Sequence, residues 1–226
     1  MRSFTIGFSA CSLVLAMIAP STATVATFDF ETLAPTFVSP PASVRPGALS
    51  SLVVSNNGLT MTITRTGGTH FDLVANTGNQ TGKPASWGMV SLDPFFAPGN
   101  AGWIFNFSKP VTTFSIQLGD YGEDSDLEAF TFWDGPNGTG TVVGSATDNY
   151  GLQAFPTVDT LPFASATPFQ SVTINGTSNA PGFNNSVFFD NVILGFNAAV
   201  PEPSSLFLLS FGLAGLACIA WRRRMG

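Results

Sequence analysis

Leu59-Thr60-Met61-Thr62-Ile63-Thr64 alternates apolar and hydroxyl side chains without a break. A period of two sends successive side chains to opposite faces, so this stretch predicts a half-buried strand. Asn57-Gly58 stands directly before it. That dipeptide accepts positive φ at both corners of a tight turn, which predicts a hairpin partner on its other side. The same period returns where Phe114, Ile116 and Leu118 alternate with Thr113, Ser115 and Gln117, and again at Val172 and Ile174. Val187 to Phe196 is apolar on both faces apart from Asp190 and Asn191, the pattern of a central strand. Asn137-Gly138 and Asn175-Gly176 predict further turns. No stretch between residues 24 and 200 holds a helical period long enough for a major helix. About ten short strands separated by turns predict an all-β fold, a two-sheet sandwich of jelly-roll type.

Composition bounds the partners. The chain has 226 residues and a formal charge of −6. Its two cysteines, Cys11 and Cys218, both lie outside the strand-rich region, which therefore holds no disulfide of its own. Residues 24–198 carry four basic side chains (Arg45, Arg65, Lys83 and Lys109) against thirteen acids, a formal charge of −9. That balance argues against nucleic acid and against anionic membrane surfaces.

Both ends read as targeting segments. Arg2 supplies a positive start, Phe4 to Ala19 is mostly apolar, and Ser21 and Ala23 fit a small-residue cleavage rule. Residues 1–23 are therefore expected to be a signal peptide, 24–198 the β domain, and 199–226 a tail. Within the tail Pro201 and Pro203 resist helix and inner-strand pairing. Leu206 to Trp221 is a sixteen-residue uncharged apolar segment. That is close to the roughly 17–25 residues that span a bilayer as a helix. Arg222, Arg223 and Arg224 form a basic stop, which marks the cytoplasmic end.

Val200, Pro201, Glu202 and Pro203, the apolar segment and Arg222–Arg224 together resemble the PEP-CTERM sorting signal of Gram-negative bacteria. The resemblance implies recognition by an exosortase, transient anchoring in the inner membrane, and transfer to the cell surface or an exopolysaccharide matrix. It implies a structural or adhesive role in biofilm. Phe28-Asp29-Phe30-Glu31, Leu118-Gly119-Asp120-Tyr121-Gly122 and Phe188-Phe189-Asp190-Asn191-Val192 resemble surface domains that precede such tails. Those domains are similar to carbohydrate-binding jelly rolls.

Chemistry-bearing residues are few. His70 is the single histidine, and a Ser-His-Asp triad would need it as base. Asp72, at i+2, would share its face on a strand. Nucleophile-elbow, zinc-protease and phosphate-loop motifs are absent from the sequence. A non-enzymatic role is expected. Asp120, Glu123, Asp124, Asp126 and Glu128 place five acids in nine residues, read as a loop leading into a strand from Leu127 to Trp133. Oxygen ligands on a flexible loop suit calcium, and the alternative is a solvated acidic loop. In a strand from Thr27 to Glu31, Asp29 and Glu31 share one face. The resemblance implies that they hold a structural calcium together with Asp190. Trp87, Trp133 and Tyr121 are candidates for stacking on sugar rings, whereas Trp103 is expected in the core. The matrix role thus stands beside two alternatives, a polysaccharide-binding module and a carboxylate-dependent glycoside hydrolase.

Overall fold

The computed structural model describes residues 23–34, 49–75, 90–93, 101–119, 125–150, 158–179 and 187–197. Ten strands form among them. They are β1 (Ala23–Phe28), β2 (Ser51–Asn56), β3 (Leu59–Arg65), β4 (Asp72–Ala75) and β5 (Val90–Asp93). Then come β6 (Trp103–Gly119), β7 (Asp126–Trp133), β8 (Val142–Tyr150), β9 (Val158–Ser178) and β10 (Phe188–Asn197). Strand pairing is antiparallel throughout.

Two long strands tie the sandwich together. The first part of β6, Trp103 to Asn106, lies between β3 and the Ser171–Ile174 part of β9. Its last part, Thr113 to Gly119, lies between β10 and the Val158–Ala164 part of β9. The register slips around Val111, and the inward set changes from Trp103, Phe105 and Phe107 to Phe114, Ile116 and Leu118. A bulge of this kind bends a strand and lets one chain serve two sheets. One layer therefore runs β2-β3-β6-β9-β7-β8. The other runs β9-β6-β10, with β1 and β5 both on the far edge of β10 and β4 outside β5. The result is an all-β, two-sheet sandwich of jelly-roll type, and β10 is central, as its apolar faces predict.

Aromatic rings bridge the layers. Trp103 and Phe105 of one sheet meet Phe189 of the other edge to face at 5.5 and 6.4 Å. Phe114 packs on Phe132 at 5.6 Å, and Phe132 stacks on Phe163 at 3.6 Å. Trp103 is fully buried, as expected. Each such side chain removed from water contributes about 1.5–3 kcal/mol before entropy is counted. This core lies wholly within the compact unit Ala23–Asn197.

The β2–β3 hairpin turns at Asn57 (φ 48°) and Gly58 (φ 74°), the conformation that the dipeptide favours. Asn56 and Asn57 then reach the edge of the other sheet. Their amides donate to the Thr27 and Val25 carbonyls at 2.9 and 2.7 Å. Carbonyls of an edge strand that would otherwise face another chain are capped in this way.

The structure departs from the local sequence pattern at three places. Asn175-Gly176 is not a turn but lies inside β9, paired with Ala129 and Glu128 of β7. The first strand ends at Phe28 rather than Glu31. Phe30, at φ 58°, begins a turn closed by the Leu33 N–H to the Phe30 carbonyl. In β10 the pairing with β6 slips between Asp190 and Ile193, with Asn191 at φ 46°. The inward set changes there from Phe189 to Val192, Leu194 and Phe196, so Asp190 does not share their row as strict alternation would require.

Candidate functional site

The corner built by β9, β7 and β8 has an unusual polarity. On β7 the inward residues are Asp126, Glu128, Phe130 and Phe132, all 0 % exposed, while Leu127 on the outside is 43 % exposed. The strand is thus inside-out over its first half. Glu128 pairs across with Asp148 on β8 and with Gly176 on β9, so these three share the inner face. Asp159 of β9 lies near enough to act on Asp148. Burial and then the Asp159 charge push the Asp148 carboxyl above the ordinary carboxylate range. Gly176 is required by close approach. A Cβ there would lie 2.1 Å from Glu128 Oε1.

The outer face of the same corner carries no charge. Its cross-strand rows are Thr173–Thr131–Ser145, Asn175–Ala129–Thr147 and Thr177–Leu127–Asn149. Trp133 begins the next row, and its indole N–H donates to Thr173 Oγ1 at 2.9 Å. Beyond it the β7–β8 connection folds back over the sheet. The Gly138 N–H donates to Ser171 Oγ at 3.0 Å, and that hydroxyl donates to the Gly135 carbonyl at 2.6 Å. Asn106 Oδ1 accepts from the Asn137 N–H at 2.6 Å, and the Asn106 amide donates to Asn137 Oδ1 at 2.9 Å. The connection and Trp133 form a wall along one side of an uncharged shelf.

The residues singled out from the sequence separate. Asp29 is exposed, its Oδ1 accepting from the Glu31 N–H at 3.3 Å. It lines a cleft of about 470 Å³ between β1 and β2, with Phe28, Phe30, Val53 and Ser55. Glu31 turns the other way, and its Oε1 accepts from the Val90 N–H at 3.1 Å. Asp190 is fully buried, its Oδ1 accepting from the Asn191 N–H at 2.7 Å. Asn191 in turn donates to Gln117 Oε1 at 2.8 Å. Asp126 and Glu128 belong to the strand and to the interior, not to a solvated loop. Asp120, Tyr121, Glu123, Asp124 and Trp87 lie outside the described residues, as do residues 1–22 of the signal segment and the tail. Among the described residues no three His, Cys, Asp or Glu side chains are grouped so as to hold a metal ion. Among them, too, no helix is long and apolar enough to cross a membrane.

His70 is exposed just before β4, while Asp72 is buried at its start, so the two do not share a face. Arg65, absent from the candidates, is buried with its guanidinium 4.7 Å from the Trp103 ring centre, and it donates to the Ala101 carbonyl. A basic residue ending an apolar alternation, with Trp opposite in register, is the sequence signal for that contact. Asp148 and Asp159 carry no such signal, because isolated acids in Thr- and Ser-rich strands look like solvated residues.

Three solved structures are among those with a similar chain course. The CBM22-1 xylan-binding domain of Paenibacillus barcinonensis Xyn10C is 16% identical, covering 80% of this chain and 100% of that one, with a TM-score of 0.42. The K2 cleaved adhesin domain of Lys-gingipain is 15% identical, covering 58% and 88%, with a TM-score of 0.40. The family 32 CBM from C. perfringens NanJ, solved with galactose, is 17% identical, covering 60% and 93%, with a TM-score of 0.33. No curated protein matches the sequence. One family model does, over residues 199–224, the stretch that begins just before Val200-Pro201-Glu202-Pro203 and ends at Arg224. The chain therefore carries a PEP-CTERM protein-sorting motif at residues 199–224.

Proposed function

We propose that this chain is a non-catalytic surface protein that an exosortase sorts into an extracellular polysaccharide matrix, where its β-sandwich has a structural or adhesive role. The observation that carries the reading is the sorting motif at residues 199–224. Its parts follow a physical order. The last strand ends at Asn197, and Pro201 and Pro203 then forbid further strand pairing. The apolar segment holds the chain in the inner membrane, and Arg222–Arg224 resist translocation. The signal segment exports the sandwich before the tail stops transfer. An aromatic core without disulfides suits a domain that needs no redox assistance outside the cell.

Fractionation of producing cells tests this. The wild-type chain is expected in the matrix and surface fractions, and Glu202→Ala is expected to stay with the membranes. Equal distribution of the two forms would overturn the reading.

A further inference from the structure

We infer that the outer face of the β9–β7–β8 corner, walled by Trp133, is a docking surface for a neutral polysaccharide. This deepens the matrix reading above and rests on it for the presence of such a polymer at the cell surface.

The first support is the inverted polarity of β7. Leaving Leu127 43 % exposed forgoes burial and puts an apolar side chain on the outer face, where a solvated strand ordinarily carries a polar one. The second support is charge. A β domain of formal charge −9 carries no ionisable side chain in any of the three rows of the shelf. Solvated faces ordinarily carry Lys, Glu, Asp or Arg. Without cations the shelf has nothing to pair with a polyuronate or a nucleic acid. The wall carries one exposed carboxylate, Asp134, whose Oδ1 accepts from the Thr141 N–H at 2.6 Å within its own loop, so the three rows themselves offer a basic partner no anion.

The remaining chemistry matches sugars. Thr131, Thr147 and Asn175 both donate and accept hydrogen bonds, as sugar hydroxyls do. Leu127, Ala129 and the Trp133 ring offer apolar surface to the C–H faces of pyranose rings. Neighbouring strands stand about 4.8 Å apart and same-face residues nearly 7 Å apart along a strand, so the polar groups repeat regularly under an extended chain. The bond from Trp133 to Thr173 Oγ1 fixes the indole at the edge of the shelf before any ligand arrives. A ring held in place loses little freedom on binding.

The test is affinity electrophoresis of the released surface protein in native gels. The gels contain a β-1,4-glucan, a β-1,3-glucan, a galactomannan, a polyuronate or no polymer. The wild type is expected to be retarded by at least one neutral polymer and not by the polyuronate. Thr147→Glu, which puts a charge on an exposed position of the shelf, is expected to abolish the retardation with an unchanged melting temperature. Trp133→Phe keeps a ring and loses the indole donor, and is expected to weaken the retardation. Val53→Glu, on the β2 side beyond the wall and 61 % exposed, is expected to migrate as wild type. Retardation that survives Thr147→Glu, retardation in the polyuronate alone, or none in any neutral polymer would each overturn the site. Concentration-dependent migration without polymer that Thr147→Glu removes would assign the shelf to a second copy, and would also overturn it. Loss of the site leaves the fractionation result standing. Loss of matrix sorting instead shows in the Glu202→Ala comparison.

Discussion

Gly176→Ala probes the packing on which the inverted strand depends. A Cβ at residue 176 would lie 2.1 Å from Glu128 Oε1, 2.7 Å from its Cδ and 2.8 Å from its Oε2. The carboxyl is fully buried between β8 and β9, so it has no solvent into which to swing. Either the carboxyl is displaced or β9 moves away from β7. Overpacking of this kind costs about 1–3 kcal/mol, and three atoms within contact distance put this site in the upper half of that range. At 2–3 kcal/mol the melting temperature falls by roughly 4–12 °C for a domain of this size. The urea midpoint falls by about 1 M at an ordinary m-value. Urea unfolding of wild type, Gly176→Ala, Glu128→Ala and the double variant measures the contact. The double variant is expected to be more stable than the summed single effects by about 1–2 kcal/mol, since the added methyl then meets no carboxyl. A Gly176→Ala midpoint equal to wild type, or strictly additive effects, would refute the placement of Glu128 against Gly176.

Asp148 carries a pH signature. Its carboxyl sits above the ordinary range because of burial first and Asp159 second, so the folded state holds the proton more tightly than the unfolded chain does. Its ionisation therefore opposes folding above the raised pKa, and that penalty fades as pH falls toward the ordinary carboxylate value. Asp148→Asn is expected to be more stable than wild type at pH 7, with the difference in urea midpoints shrinking as the pH falls toward the ordinary carboxylate value. Asp190→Ala removes the acceptor of the Asn191 N–H at the bulge and is expected to cost about 1–3 kcal/mol by the same assay. Trp103→Ala empties the centre of the aromatic cluster, and a loss of about 3–5 kcal/mol is expected by thermal or urea unfolding.

What the sequence displays and what it hides divide along physical lines. The strand at Leu59–Thr64, the hairpin at Asn57-Gly58 and the alternation of Phe114, Ile116 and Leu118 are legible because alternation and turn chemistry are local. Asn175-Gly176 misleads for the same reason. Its local turn preference yields to pairing with β7, and the glycine serves the Glu128 carboxyl, 48 residues distant in sequence. Alternation at Asp126–Trp133 shows two faces but does not label which is inside, and ordinary polarity assigns Asp126 and Glu128 to the wrong one. The bulge at Asp190–Asn191 leaves no mark beyond an Asp-Asn pair in an apolar run, yet it reverses which side chains reach the core. The sorting tail is legible because its signal is a linear order of chemical types rather than a fold.

Sorting is the central claim, and the intact mass of the protein released from the cell surface tests it most directly. The expected species lacks Leu206–Arg224 and ends near Pro201-Glu202-Pro203. A released species that still ends at Gly226 would contradict exosortase processing.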